Sequence, residues 1–183
     1  MRALYCLMRG ITRFNDRFGK WVSYLLLAIF VLLIAEITIR LVSGSPVVWT
    51  GELSQLLFGA YAALSGGYVM AHHGHVNVDL LYTRFSPRTK AVVDVLTASM
   101  FFVFMGALIY FGSSMAYESM SFWERSQSAW NPPIWPVKLA IPVGAVLLFI
   151  QGTVKFVQDV LIALNVPPPE GVTSWHYVPE EHA

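Results

Sequence analysis

The chain has 183 residues, of which 56% are hydrophobic and 13% are charged. Soluble domains carry about 25% charged residues, so this composition excludes an ordinary soluble protein and predicts an all-α integral membrane protein. The net charge of +1 argues against a nucleic-acid partner, and the single cysteine rules out an intrachain disulfide.

Residues 1–20 combine an apolar and a basic periodicity. Apolar residues return every three or four positions, which predicts one helix face. Basic residues recur every fourth position, at Arg9, Arg13 and Arg17. The segment is therefore predicted to be an amphipathic helix that lies at the membrane surface. A disordered basic tail is the alternative, because Gly10 and Asn15 weaken a helix.

The first membrane span is predicted over residues 21–42. Glu36 and Arg40 lie in its last two turns, four residues apart, so they can pair along the helix. After a short turn, Thr50 is predicted to cap the second helix, and Glu52 in its first turn can meet Arg40 across the hairpin. We expect a structural ion cluster of Glu36, Arg40 and Glu52; a proton or ion relay is the alternative.

The second span, over residues 53–71, contains no formal charge. Its small residues Gly59, Ala63 and Gly67 recur every four positions and share one helix face. Small residues let helix backbones approach closely in lipid, so this face is predicted to pack against another helix. The alternative is that glycine and alanine are simply common in membrane helices.

Three histidines follow the second span, at positions 72, 73 and 75. Their spacing is not the i, i+4 spacing of a helical metal pair, and the later spans carry no histidine or cysteine to complete a site. We interpret them as polar residues at the interface. No catalytic, cofactor-binding or metal-binding residue is predicted, and no cofactor is expected.

The third span is predicted over residues 91–117, after the helix start at Ser86-Pro87. The loop 118–134 carries Trp123 and Trp130, which fit either membrane anchoring or a surface for a partner. The fourth span, over residues 135–164, contains Pro142 and ends in polar residues spaced by fours. Residues 165–183 are predicted to be a flexible tail.

The distribution of lysine and arginine predicts the orientation. Residues 1–20 carry five basic residues, and the connection from His72 into the third helix carries three, whereas the connection at 43–49 carries none. Positive residues stay on the cytoplasmic side. Both termini and the connection 72–86 are therefore expected in the cytoplasm, and the turns 43–49 and 118–134 outside it.

The order of several short motifs resembles a known family. The motif Trp49-x-x-Glu52-Leu53 opens the second span, and His75-Val76-x-Val78-Asp79 follows it. The motif Ser128-Ala129-Trp130-x-Pro132-x-x-Trp135 then leads to Pro142-x-Gly144 in the fourth span. Over roughly residues 15–160 the chain resembles the small membrane subunit of tripartite ATP-independent periplasmic (TRAP) transporters, the DctQ-like small permeases.

This resemblance implies a function that depends on partners. A large membrane subunit would carry the substrate and sodium sites and move as an elevator, and a periplasmic substrate-binding protein would deliver an organic acid or similar solute. The present chain would be a non-catalytic scaffold in the inner membrane of a bacterium or archaeon. Gly59, Ala63 and Gly67 are then candidates for contact with the large subunit, and Trp123 and Trp130 for contact with either partner.

Two other functions remain as alternatives at this point. One is a membrane-anchored cytochrome or quinone-linked subunit. The other is a small independent transporter. Secondary transporters place their sites at interrupted helices within inverted repeats, and the sequence carries neither feature.

Overall fold

The computed structural model describes residues 2–45, 47–72 and 87–164. The motif that begins at His75 and the predicted tail 165–183 lie outside the described residues. The described part is all helical, as the fold class predicts, and it has four helices with no separate N-terminal amphipathic helix. They are α1 (Arg2–Ser43), α2 (Val48–Ala71), α3 (Pro87–Ser121) and α4 (Trp135–Ala163).

Three of these helices contain stretches long and apolar enough to cross a membrane. The stretches are Leu4–Ser43, Val92–Ser121 and Trp135–Ala163. The fourth helix, α2, has 24 residues, and serine, glutamine, tyrosine and glycine reduce its apolar character. The observed architecture is thus an all-α membrane protein with three long apolar helices and one shorter one.

Helix α1 runs through the predicted boundary at Lys20 without interruption. Residues 2–20 are helical, as the periodicity predicts, but they continue directly into the first apolar stretch instead of forming a separate element. Gly10 and Asn15 do not end the helix. Met8 packs against Val154 of α4, so the N-terminal half of α1 is anchored to the bundle by side chains on both helices.

Contacts along the helices define their order and direction. Helices α1 and α2 are antiparallel, because Glu36 faces Gly51 at one end and Gly19 contacts the ring of Tyr68 at the other. Helices α2 and α4 are parallel, with Gly59 near Val137 and Gly66 near Leu148.

The remaining pair completes the arrangement. Helices α3 and α4 are antiparallel, since Gly112 lies beside Pro142 and Gly152 contacts Phe101. The lateral order is therefore α1, α2, α4, α3, with up-down-up-down connectivity and two central helices.

The predicted cap of α2 is wrong. The helix begins at Val48, with Val47 in an extended conformation at the N-cap position. Thr50 lies inside the first turn and is fully buried. Its hydroxyl donates a hydrogen bond to the carbonyl oxygen of Val47 at 3.1 Å. The hydroxyl is thus bonded to the preceding residues, and the helix begins three residues earlier than the capping pattern indicates.

Buried polar side chains hold the helices together at the end where α1 begins and α4 ends. The amide of Asn15 donates to the side-chain oxygen of Gln151 at 3.0 Å, and both residues are buried. The ammonium of Lys155 lies 2.6 Å from Asp94 on α3 and 2.8 Å from Asp159 on α4. Because hydrogen-bonded polar groups are costly to separate in an apolar environment, these contacts fix α1 and α3 on α4.

Candidate subunit interface

The small-residue face of α2 packs inside the chain. Gly144 of α4 lies so close to Ala63 that a methyl group added to it would overlap the Ala63 carbonyl oxygen. A methyl group added to Gly67 would lie 3.2 Å from the backbone of Leu147 and 3.1 Å from Asn15. Gly59 faces Val137 one turn into α4. The small-residue face of α2 therefore packs closely against another helix, as predicted, and that helix is α4.

The sequence also makes Gly59, Ala63 and Gly67 candidates for contact with a second subunit, and that contact stays a prediction. Four-residue spacing predicts that a face packs closely, but not which helix it packs against. Here Gly67 is buried and the other two are half-buried against the same chain. Within the chain, α4 is the helix that packs on this face.

The loop between α3 and α4 has a defined backbone structure. Arg125 and Pro133 form an antiparallel bridge, with hydrogen bonds from the Ser126 amide to the Pro132 carbonyl (2.9 Å) and from the Ile134 amide to the Glu124 carbonyl (3.1 Å). The Arg125 guanidinium donates to the carbonyl of Asn131 at 3.1 Å, where the backbone has a left-handed φ of 54°. Asparagine tolerates that conformation better than most residues, so the turn is stable.

A hydrogen bond between Ser128 and Glu52, which we call the latch, joins this loop to the start of α2. The hydroxyl of Ser128 donates to the carboxylate of Glu52 at 2.5 Å and accepts from the Asn131 amide at 3.1 Å. Beside it, the rings of Trp49 and Trp130 lie 6.4 Å apart. Two motifs separated by more than seventy residues in the sequence therefore meet at one end of the bundle, and α2 and the loop form a single surface.

Large aromatic side chains are exposed on this surface. Phe122 and Trp123 are 78% and 71% exposed, and Trp130 is 38% exposed. The Trp123 ring packs edge-to-face on Trp135 at 5.8 Å, which holds the exposed ring in a fixed position. Exposed aromatic rings on a supported loop can anchor at a membrane interface or contact another protein.

An ion pair fastens the loop to α4. Lys138 donates to the carboxylate of Glu124 at 2.5 Å. This hydrogen bond from Lys138 lowers the pKa of the Glu124 carboxyl below its ordinary value. A lowered carboxyl pKa means that the pair is fully present at neutral pH, and that its contribution is lost as the pH falls through the lowered pKa.

The predicted cluster of Glu36, Arg40 and Glu52 does not form as ion pairs. Within the described residues, none of the three lies within 4 Å of an opposite charge. Arg40 is exposed, the carboxylate of Glu36 faces Gly51, and Glu52 accepts its hydrogen bond from Ser128. The four-residue spacing allows Glu36 and Arg40 to pair along the helix. An exposed ion pair, however, gains little free energy compared with two side chains solvated by water.

His72 contacts an acidic residue of α1. Its Nε2 lies 3.1 Å from the carboxylate of Asp16, and its Nδ1 lies 3.1 Å from the Tyr68 carbonyl oxygen. Asp16 also pairs with Lys20 at 2.7 Å. In the part of the chain that the structure describes, no three metal-ligating side chains converge. His73 and His75 lie outside the described residues.

Sequence reasoning missed Asn15 as a packing residue. It was interpreted only as a residue that weakens the amphipathic helix, whereas it is buried and bonded to Gln151 and to the carbonyl of Leu147. The available signal was the pair of amides, Asn15 and Gln151, near the ends of two predicted apolar segments. Side-chain amides in membrane helices can hydrogen-bond across to a neighbouring helix.

Comparison with known proteins gives two matches. The family model for tripartite ATP-independent periplasmic transporters, DctQ component, matches residues 29–161. The chain is also 29% identical over 101 residues to the sialic acid TRAP transporter permease protein SiaT of Haemophilus influenzae (strain 86-028NP). The matched region covers 55% of this chain and 16% of that relative, so the chain spans only a small part of the relative's length.

Proposed function

This chain belongs to the DctQ-component family of tripartite ATP-independent periplasmic transporters, and from that membership we propose that it is a non-catalytic small membrane subunit of such a transporter. It works beside a large elevator subunit that binds the solute and sodium. A periplasmic binding protein delivers the solute, an organic acid or a similar molecule. The complex lies in the inner membrane.

The observation that carries this proposal is the close packing of α2 on α4. Gly144 and Ala63 leave no room for a side chain between the two backbones, and the latch between Glu52 and Ser128 ties the outer loop to the same pair of helices. Well-packed interiors resist deformation, so this pair behaves as a rigid unit. A rigid unit suits a fixed scaffold against which a second subunit moves.

We propose that all four helices span the membrane. Helix α2 lies antiparallel to α1 and parallel to α4, and both of these neighbours carry a long apolar stretch. At 1.5 Å per residue, its 24 residues extend about 36 Å, which exceeds a hydrocarbon core of about 30 Å. Three of its less apolar residues, Thr50, Ser54 and Gly67, are buried against the rest of the chain, so a lower hydropathy is compatible with a span.

The contacts with partners then fall on side chains that the chain leaves exposed. On α1 and α3 these include Phe30, Ile37, Val103 and Phe104, which are candidates for the large subunit. At the outer end, Trp123 and Trp130 are candidates for the binding protein or the outer edge of the large subunit. Packing already holds the aromatic rings of this surface in place, so a partner that docks there causes little further loss of side-chain conformational entropy.

The proposed function requires the aromatic loop to face the periplasm, and this can be tested directly. Reporter fusions placed after Gln127 and after Ala183 are expected to report opposite sides, with Gln127 outside and Ala183 in the cytoplasm. The physical reason is the excess of lysine and arginine in the predicted cytoplasmic segments. A cytoplasmic Gln127 would remove any contact between the loop and a periplasmic protein, and matching locations for both fusions would exclude four spans.

A further inference from the structure

An apolar groove lies where the N-terminal half of α1 meets α4. It has a volume of about 670 Å³ and is walled by Leu7 and Phe14 of α1 and by Leu147 and Ile150 of α4, with Cys6 at one edge. Gly10 also lines the groove, and a methyl group added there would meet no atom within 4 Å, so the groove is open at this position. It is therefore a slot that a long apolar ligand can enter.

A basic stripe borders this groove. Arg9, Arg13 and Arg17 are exposed and recur every four positions on α1. With 100° between successive residues, the stripe lies on the helix face adjacent to Cys6 and Gly10. None of the three forms an ion pair with another described residue. Their guanidinium groups therefore have capacity for an anion brought from outside the chain.

We propose that the groove binds one acyl chain of an anionic phospholipid, whose phosphate contacts the arginine stripe. The groove is apolar, like the acyl chain of the lipid. The arginine guanidinium groups can form bidentate hydrogen bonds with its phosphate. One lipid molecule satisfies both surfaces at once. In the proposed orientation the site lies in the cytoplasmic leaflet, where anionic headgroups attract basic segments.

The site is independent of the transport function. It combines the N-terminal half of α1, all of which precedes the region that matches the family model, with Leu147 and Ile150 of α4. Its ligand is a membrane component and not the transported solute. A bound lipid would hold the arginine stripe at the leaflet surface and fill the gap between α1 and α4, which are joined there by Asn15 and Gln151.

The test uses the purified full-length protein in detergent, with phosphatidylglycerol and phosphatidylcholine of identical acyl chains. Native mass spectrometry gives the apparent dissociation constant for each lipid. Cys6, the only cysteine in the chain, reports on the groove through its rate of reaction with a soluble thiol reagent. We expect tighter binding of phosphatidylglycerol and slower labelling of Cys6 as that lipid is added.

Two variants separate the parts of the site. Arg9→Gln combined with Arg13→Gln is expected to weaken phosphatidylglycerol binding about tenfold or more, with little effect on phosphatidylcholine. Gly10→Leu fills the groove and is expected to weaken both lipids. The matched controls are Arg40→Gln at the other end of α1 and Gly106→Leu on α3, where a side chain also meets open space; both should bind like the parent protein.

Several results would overturn the proposal. Equal affinity of the parent protein for the two lipids would exclude a specific anionic lipid site. Unchanged phosphatidylglycerol affinity in either the arginine double variant or Gly10→Leu would exclude it as well. Protection of Cys6 by inorganic phosphate alone would indicate a simple anion site. If Cys6 is shielded only in a complex with a partner protein from which lipid has been removed, the groove belongs to a protein contact instead.

Discussion

Replacing Gly144 by alanine is expected to destabilise the bundle by about 1–3 kcal/mol. The added methyl group would overlap the carbonyl oxygen of Ala63. That oxygen belongs to the backbone of α2, so it cannot rotate away as a flexible side chain can. The two central helices must then separate, and the contacts around Gly67 and Leu147 loosen with them.

Gly106→Ala is the matched control for this prediction. Gly106 also lies inside a helix, but a methyl group added there meets nothing within 4 Å. Alanine is about 1 kcal/mol better than glycine in a helix interior, so this variant should be unchanged or more stable. Unfolding of each purified variant by a denaturing detergent gives the free energies. Equal stability of Gly144→Ala and the parent would contradict the close packing of α2 on α4.

Lys155→Met is expected to cost about 3–5 kcal/mol of stability. Lys155 neutralises Asp94 of α3 and Asp159 of α4, and the three side chains are 18%, 15% and 3% exposed. Removing the ammonium leaves two carboxylates close together with little access to water. Helix α3 is expected to detach at this end, which limited proteolysis near Asp94 would detect.

Lys20→Met provides the control for Lys155→Met. Lys20 also pairs with an acid four residues away, Asp16, but its side chain is 65% exposed. Exposed pairs contribute about 1 kcal/mol or less, so the control should lose little stability. Adding Asp159→Asn to Lys155→Met should recover part of the loss, because one buried charge disappears. Equal losses for the two lysine variants would mean that the Lys155 contacts are effectively exposed to water.

The sequence predicted which segments are helical because long charge-free runs have few alternatives in a membrane protein. The third helix illustrates this: the predicted span 91–117, which contains a charge-free run over 95–117, lies inside α3, and α3 extends a turn beyond the span at each end. The ends were harder to predict. Thr50 satisfies the preference for an N-cap residue, yet its hydroxyl bonds to Val47 and the helix starts earlier. Capping preferences are worth about 1 kcal/mol, and tertiary packing easily overrides them.

Contacts between distant residues were the part that spacing could not predict. The period of Gly59, Ala63 and Gly67 indicated close packing but not that α4 supplies the partner. Glu52 was expected near Arg40, the nearest opposite charge along the hairpin, but its hydrogen bond comes from Ser128. Such pairings depend on which helices become neighbours, and a single sequence carries no direct signal for that.

We propose that the chain transports nothing alone but is required for transport by its complex. The most direct measurement is sodium-driven solute uptake into vesicles that contain the large subunit and the loaded binding protein, with and without this chain. Vesicles with all components should accumulate solute, whereas vesicles lacking this chain, or containing it alone, should not. Full uptake by the large subunit in the absence of this chain would contradict the scaffold role.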